Sequence, residues 1–146
     1  MSSFKAVDPE FVQRVRVSFG EQRAMASIGA SVSLVEPGAV DVMLPFRDDL
    51  TQQDGFIHAG IIAAIADSAC GYAAYSLMPA SARVLSIEFK VNLLAPAVGE
   101  RMIARARVLR AGKTITVCRA DVAAVIDRNE KLVATMLGTM MTISAQ

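Results

Sequence analysis

The sequence has few residues that could hold a metal ion, with one histidine and two cysteines among 146 residues. Cys70 and Cys118 lie far apart and share no metal-binding spacing, so we expect both to be buried, reduced thiols. A zinc site made by the protein would then need several carboxylates, and no cluster of Asp and Glu supplies them. We therefore predict no metal site.

Charge is also scarce, at 20% of residues, and the 15 basic and 14 acidic residues give a net charge of +1. A nucleic-acid-binding protein concentrates positive charge on one face or segment, whereas here the two signs are mixed along the chain. We therefore predict no nucleic-acid partner.

Residues 1–5 contain no apolar run of signal-peptide length, which predicts a cytoplasmic protein.

Apolar residues are abundant by contrast, at 53% of the chain, and the mean hydropathy is +0.42. This composition is too apolar and too weakly charged for a disordered chain. The length fits a single domain, which we assign to residues 1–146. The apolar excess has three explanations: a membrane segment, an ordinary core, or a surface that subunits bury against each other.

The pattern along the chain predicts a helix, two strands, a long apolar segment and four more strands. Asp8 as cap, with Pro9 in the first helical position, predicts a helix that ends near Gly20. Pro37-Gly38 is a turn between two short strands. Short polar breaks between the last four strands predict hairpins and an antiparallel meander. The predicted strands are 30–36, 39–44, 83–94, 101–110, 114–126 and 132–143, and the apolar segment is 56–78.

The apolar segment 56–78 is long enough to be weighed as a transmembrane helix, which needs roughly 20 residues. Much of it is Ala, Gly and Ser, and Asp67 near its centre would cost about 2.5 to 3.5 kcal/mol on insertion. A helix that is apolar on all sides is otherwise buried on all sides by protein. We therefore predict no membrane partner, and a central helix with a curled sheet around it.

One strand has a sharply two-sided pattern. In 83–93 the odd-numbered residues from Leu85 are apolar, and the even-numbered residues from Ser86 are polar. This alternation predicts a strand with one covered face. We expect the long apolar helix to cover it.

Two ionisable side chains stand out in the apolar segment, because His58 and Asp67 are the only His, Asp, Glu, Lys or Arg in 55–82. Asp67 alone is equally well explained as a structural carboxylate bonded to backbone or to Ser68. The two residues are nine positions apart, which in one helix is half a turn out of phase and roughly 13 Å along the axis. If both serve one reaction centre, they come from different copies of the chain, which predicts a dimer with shared sites.

A motif surrounds these two residues. Gln52, Gly55, His58, Gly60 and Asp67 fall at the spacings of a pattern found in hot-dog-fold acyl-CoA thioesterases. The sequence resembles the PaaI-like and 4-hydroxybenzoyl-CoA thioesterase groups of that family. The resemblance implies an α+β hot-dog fold, in which an antiparallel curled sheet wraps around a long central helix.

The resemblance also implies hydrolysis of acyl-CoA to free acid and CoA, with no cofactor beyond the CoA of the substrate. The backbone N–H of Ala59, at the positive end of the helix, would stabilise the developing oxyanion. Asp67 would act as general base or as nucleophile, and the sequence leaves this choice open. Gln52 and His58 would hold the loop and the thioester.

Two positions depart from the family pattern. Ala59 replaces a glycine, which keeps the N–H unless the turn needs a positive φ angle. Gly71 stands where some relatives have a hydroxyl that orients water. Ser86 resembles the family's serine near the catalytic carboxylate, and we expect it to take that role.

The remaining expected site residues concern substrate and partners. Basic residues would contact the CoA phosphates, although ordinary solvated surface charge is the favoured explanation for each of them taken singly. Apolar residues beside the motif would line the acyl pocket, although they could also be plain core. The expected substrate-binding residues are Leu50, Gly55, Phe56, Gly60, Ile61, Ile62, Lys90 and Lys113.

The expected partners are an acyl-CoA and further copies of the chain, as a dimer and then a tetramer. Two other functions compete with hydrolysis. One is a protein that binds or senses acyl-CoA without catalysis. The other is an acyl-thioester dehydratase or hydratase, although the closer Asp–His spacing of those relatives is absent. The acyl group, and the choice between CoA and a carrier protein, stay open.

Overall fold

The computed structural model describes residues 3–144. Residues 1–2 and 145–146, which include the two ends of the predicted domain and the start of the N-terminal segment, lie outside the described residues. The helices are α1 (Phe11–Glu21), α2 (Arg23–Ile28) and α3 (Ala59–Tyr75), with a 3-10 turn at Asp48–Leu50; the strands are β1 (Ser31–Glu36), β2 (Ala39–Pro45), β3 (Arg83–Leu93), β4 (Arg101–Ala111), β5 (Ile115–Ile126) and β6 (Asn129–Ile143).

The six strands form one antiparallel sheet in the order β1-β2-β4-β5-β6-β3. Helix α3 packs against every strand from β2 to β6. Its Ile65, Ala66, Ala69 and Ala73 are fully buried, and the small side chains among them let the strands approach closely. The predicted fold class, a curled antiparallel sheet around a long central helix, is confirmed.

The predicted meander is wrong for its first strand. Strand β3 pairs with β6 at the edge of the sheet and not with β4. The connection 94–100 crosses the ends of two strands: the Leu94 N–H donates to the Val133 carbonyl and the Glu100 N–H donates to the Val125 carbonyl, both at 2.8 Å. A short break predicts a hairpin only when the chain turns straight back, and this connection bonds to β6 and β5 instead.

The prediction that the helix covers the apolar face of β3 is also wrong. Within one chain Leu85 is 55% exposed, Ile87 52% and Phe89 43%. The register shifts between Ser86 and Glu88, and such a bulge changes which residues face the core. A strict alternation from Leu85 to Leu93 therefore does not survive in the structure, and β3 is an edge strand with exposed apolar side chains.

The N-terminal helices differ from the prediction at their start and in their number. Asp8 does not cap α1; its carboxylate accepts from the Glu10 N–H at 2.9 Å and pairs with Arg14 at 2.7 Å. These two interactions lower the pKa of Asp8. Helix α1 continues one residue past Gly20, and α2 was not predicted. Arg14 also donates to the Met78 carbonyl at 2.8 Å, which ties α1 to the end of α3.

Both cysteines are buried and free, as predicted. The Cys118 thiol donates to the Cys70 carbonyl at 3.4 Å.

Within residues 3–144, no helix is both long and apolar enough to span a bilayer.

Candidate active site

The carboxylate of Asp67 lies half-buried in the middle of α3 and accepts a hydrogen bond from the Ser86 hydroxyl at 2.6 Å, on Oδ1. Ser86 is near the start of β3, where Val84 packs against the core and the Ser86 hydroxyl reaches α3. The structure thus brings together two of the expected catalytic residues. No other donor to the Asp67 carboxylate is present among residues 3–144, so Oδ2 is available to a water molecule or substrate.

A cavity of about 370 Å³ opens beside this pair. Gly71 is part of its wall, and a Cβ atom built there would meet nothing within 4 Å. The sequence did not predict that α1 and the α1–α2 junction reach this cavity. The lining residues are Ser18, Gln22, Asp67, Ser68, Gly71, Tyr72, Tyr75, Arg83, Val84, Leu85 and Ser86.

The loop before α3 is held by Gln52. Its side-chain oxygen accepts from the Asp54 N–H at 2.6 Å and from the Phe56 N–H at 3.2 Å. Gly55 has φ +82°, a conformation in which glycine is favoured. Gln52 and Gly55 together fix the turn that leads into the helix.

The helix begins immediately after His58, which is its N-cap. The Nδ1 atom of His58 accepts from the Gly60 N–H at 2.8 Å. A Cβ at position 60 would lie 3.0 Å from that nitrogen, so glycine allows the ring to pack against the backbone. Of the described residues, Asp127 is the one non-glycine with positive φ, so alanine at position 59 is unstrained.

The N–H of Ala59 has no hydrogen-bond acceptor among residues 3–144. It is the first N–H of a 17-residue helix, where the partial positive charge of the helix dipole is concentrated. Ala59 is exposed and lines a second cavity of about 380 Å³. This cavity is lined by Gln52, Phe56, Ile57, Ala59, Ile62, Leu93, Leu94, Ala95, Pro96, Ala97 and Val133.

The expected catalytic residues therefore divide between two cavities in one chain. Asp67 and Ser86 line the first, at the start of β3, whereas Gln52 and Ala59 line the second, at the end of β3. His58 stands at the helix start beside the second cavity. The structure does not bring the two groups together within one chain.

The expected substrate-binding residues are only partly gathered. Phe56 and Ile62 line the second cavity. Leu50 and Ile61 line neither cavity, and both pack against the core. The Leu50 carbonyl instead anchors the loop by accepting from the His58 N–H at 2.9 Å.

The two lysines expected at the CoA phosphates also line neither cavity. Lys90 is exposed on β3, in register with Leu137 of β6. Lys113 lies in the β4–β5 turn, beside Leu77 and Met78 past the end of α3. The structure thus separates Lys113 from Ala59 by the length of the helix.

Other reactive groups near the site are few. Cys70 is one helical turn from Asp67, but its hydrogen bond with Cys118 and its burial raise the pKa of its thiol far above the ordinary range. A thiol that stays protonated is a poor nucleophile. Within residues 3–144, no group of three or more His, Cys, Asp or Glu side chains is placed to hold a metal ion.

Comparisons with known proteins bear on the family and the fold of this chain. The family described as Thioesterase superfamily matches residues 54–130, more than half of the chain. A protein of Halobacterium salinarum that carries a provisional esterase name is 34% identical over 103 residues, which are 67% of this chain and 68% of that protein.

Two solved structures show the likeness in three dimensions. A thioesterase family protein from Silicibacter pomeroyi is 48% identical, with a TM-score of 0.91 over 92% of this chain and 99% of that one. The E. coli PaaI protein from the phenylacetic acid degradation operon is 18% identical, with a TM-score of 0.84 over 94% of this chain and 96% of that one, a likeness of fold. Sequence and fold agree, and this chain belongs to the thioesterase superfamily.

Proposed function

We propose that this chain hydrolyses acyl-CoA thioesters at a site that two copies of the chain share. Membership of the thioesterase superfamily supports a hydrolase that acts on a thioester. The observation that carries the finer proposal is the division of the motif residues. The carboxylate of Asp67 and the free N–H of Ala59 lie in different cavities of one chain.

Strand β3 supports the pairing of two copies. It is an edge strand, and within the described residues β6 is its one partner. An edge strand with unpaired backbone groups is a template for pairing with another chain. Its exposed Leu85, Ile87 and Phe89 are the kind of apolar surface that subunits bury.

The direction of pairing brings the two half-sites together. In a two-fold dimer, the same surface of both copies meets itself. Two β3 strands that pair antiparallel place the start of each beside the end of the other. The Asp67 cavity lies at the start of β3 and the Ala59 cavity at its end. One copy would therefore supply Asp67 and Ser86, and the other Gln52, His58 and Ala59.

The chemistry follows from these groups. The Ala59 N–H stabilises the negative charge that develops on the thioester oxygen. Asp67, with Ser86 bonded to Oδ1 and Oδ2 free, accepts a proton from water as the water oxygen attacks the carbonyl carbon. The C–S bond then breaks, and the proton passes to the departing thiolate, which gives free acid and CoA. Direct attack by Asp67, through an anhydride, is the alternative route.

Gly71 favours one competing function, a module that binds acyl-CoA without turnover. No side chain stands at that position to orient a water molecule, and a Cβ there would meet open space. Ser86 argues for catalysis instead, since its hydroxyl already contacts the carboxylate.

Release of free thiol from acyl-CoAs of different length and aromaticity tests the proposal. We expect turnover by the wild type and a loss of at least about 100-fold in kcat for Asp67→Asn, which keeps the shape and removes the base. Glu36→Gln, an exposed carboxylate on β1 outside both cavities, is the matched control and should stay active. A wild type that binds acyl-CoA but releases no thiol would support the binding module instead.

A further inference from the structure

Part of the lining of the Asp67 cavity comes from Ser18 of α1 and from Gln22 at the α1–α2 junction. Gln22, half-buried at the junction of α1 and α2, reaches across to α3. Its side-chain oxygen accepts from the Ser68 hydroxyl at 3.2 Å. Ser68 is itself buried and directly follows Asp67. This hydrogen bond fixes the amide plane of Gln22 beside the proposed reaction centre.

The amide nitrogen of Gln22 is left without a hydrogen-bond acceptor among residues 3–144. Among these residues, one nitrogen of Arg14 is the only buried side-chain polar atom without a partner. The unpaired nitrogen of Gln22 is therefore not buried. The nitrogen is therefore open to whatever enters the cavity that Gln22 lines. A half-buried amide with one end bonded and the other open is a ready hydrogen-bond donor.

Two neighbouring hydroxyl groups of this cavity are already paired. The hydroxyls of Ser18 and Tyr72 lie 3.2 Å apart and bond to each other. Burial raises the pKa of Tyr72, with the Ser18 hydrogen bond acting in the opposite direction, so the phenol is neutral at physiological pH. Arg83 also lines the cavity, but it is an exposed side chain. Gln22 and Tyr75 are thus the half-buried side chains of this cavity with a donor left for a ligand, because the Tyr75 hydroxyl also has no hydrogen-bond partner among residues 3–144.

We infer that Gln22 is a specificity-determining residue of the Asp67 cavity, and that its amide N–H recognises an oxygen atom, hydroxyl or carbonyl, on the acyl chain. This inference rests on the proposed function. The open space at Gly71 and the apolar Val84 and Leu85 accommodate the carbon chain. A site that donates a hydrogen bond to a substrate oxygen discriminates strongly against the analogue that lacks it, because the donor is then left unpaired.

The backbone role of Gln22 is separate from its side chain. Its N–H donates to the Phe19 carbonyl at 3.0 Å, and its own carbonyl accepts from the Met25 N–H at 3.1 Å. Gln22→Leu keeps both backbone bonds and removes the amide, which is also the acceptor of the Ser68 hydroxyl. Gln22→Glu keeps the shape and replaces the donor by an acceptor. Gln13→Leu, at an exposed position of α1, is the matched control.

The test compares hexanoyl-CoA with its 3-, 4-, 5- and 6-hydroxy derivatives. We expect the wild type to favour at least one hydroxylated compound by about tenfold or more in kcat/KM. Gln22→Leu and Gln22→Glu should reduce that ratio to about one, because the hydroxylated compound then loses its hydrogen bond from the amide. Gln13→Leu should keep the wild-type ratio. A wild type without preference at any position, or a preference that survives both Gln22 variants, overturns the inference.

Calorimetric binding separates this inference from the proposed function. The same five compounds are titrated into Asp67→Asn, with and without Gln22→Leu. A tighter Kd for a hydroxylated compound that disappears with Gln22→Leu supports recognition by Gln22 even if the wild type hydrolyses nothing. If hydroxylated and unsubstituted compounds bind with equal Kd values in both proteins, the inference is overturned even if hydrolysis is fast.

Discussion

Ser86 donates a hydrogen bond of 2.6 Å to Asp67, and this contact joins the edge strand β3 to the middle of helix α3. The two residues are 19 positions apart, and the bulge after Ser86 is what lets the strand continue with the opposite alternation. A hydroxyl that bonds to a carboxylate fixes its orientation and leaves the second oxygen for chemistry. The contact makes the position of Asp67 depend on β3.

Ser86→Ala tests the catalytic value of this contact. Hydrogen bonds to charged groups contribute about 1.5 to 3 kcal/mol, which corresponds to a loss of about 10- to 100-fold in kcat if the bond is made in the transition state. We expect KM to change by much less, because the hydroxyl holds Asp67 and not the CoA. Steady-state kinetics give both values, and Ser31→Ala on β1 is the control. An unchanged kcat would show that Asp67 does not need Ser86.

Much of the fold could be predicted because its signals are local. The turn at Pro37-Gly38 and the ends of β4 and β5 follow from breaks that can be read in a few residues, and the central helix follows from an unusually long run of small and apolar residues. The place of β3 could not be predicted, because it depends on backbone hydrogen bonds made by the connection 94–100 to β5 and β6.

The site was predictable to the extent that its residues form one motif. Gln52, His58 and Ala59 are neighbours in the sequence and remain neighbours at the helix start. Ser18 on α1 and Gln22 at the α1–α2 junction lie about 50 positions before Asp67. A half-buried polar side chain produces no periodic pattern in the sequence. Only the packing of α1 against α3 reveals that they line the cavity.

Hybrid dimers test whether the site is shared. Asp67→Asn and Gln52→Ala are each expected to be inactive, because every site lacks one component. A dimer with one copy of each has one site with both components intact, so random mixing restores about a quarter of wild-type activity. Mixing by denaturation and refolding, followed by a thiol-release assay and separation of a tagged hybrid, gives the result. Confirmed hybrids without activity would place the whole site in one chain.

Ile87→Lys tests the role of β3 as the dimer edge. Ile87 is 52% exposed in the single chain, and a lysine there introduces a charge of the kind that blocks edge pairing. We expect a monomer in light scattering after size exclusion, together with loss of thiol release. Leu109→Lys is a matched control, since Leu109 is 56% exposed and also lies at a register shift, on β4. An intact dimer with Ile87→Lys would locate the interface elsewhere.

Ala59→Pro tests the proposed oxyanion donor with little effect on the fold. Proline lacks the N–H but is well tolerated at the first position of a helix, and Ala59 occupies that position. His58 before it has φ −57° and ψ 137°, an extended conformation that suits a residue before proline. Because the Ala59 N–H has no partner within residues 3–144, its removal breaks no hydrogen bond made by the described chain. We expect a loss of about 100- to 1000-fold in kcat, with Tm nearly unchanged. Ala59→Gly keeps the N–H and should stay active, so equal activity of the proline and glycine variants would assign the oxyanion to another donor.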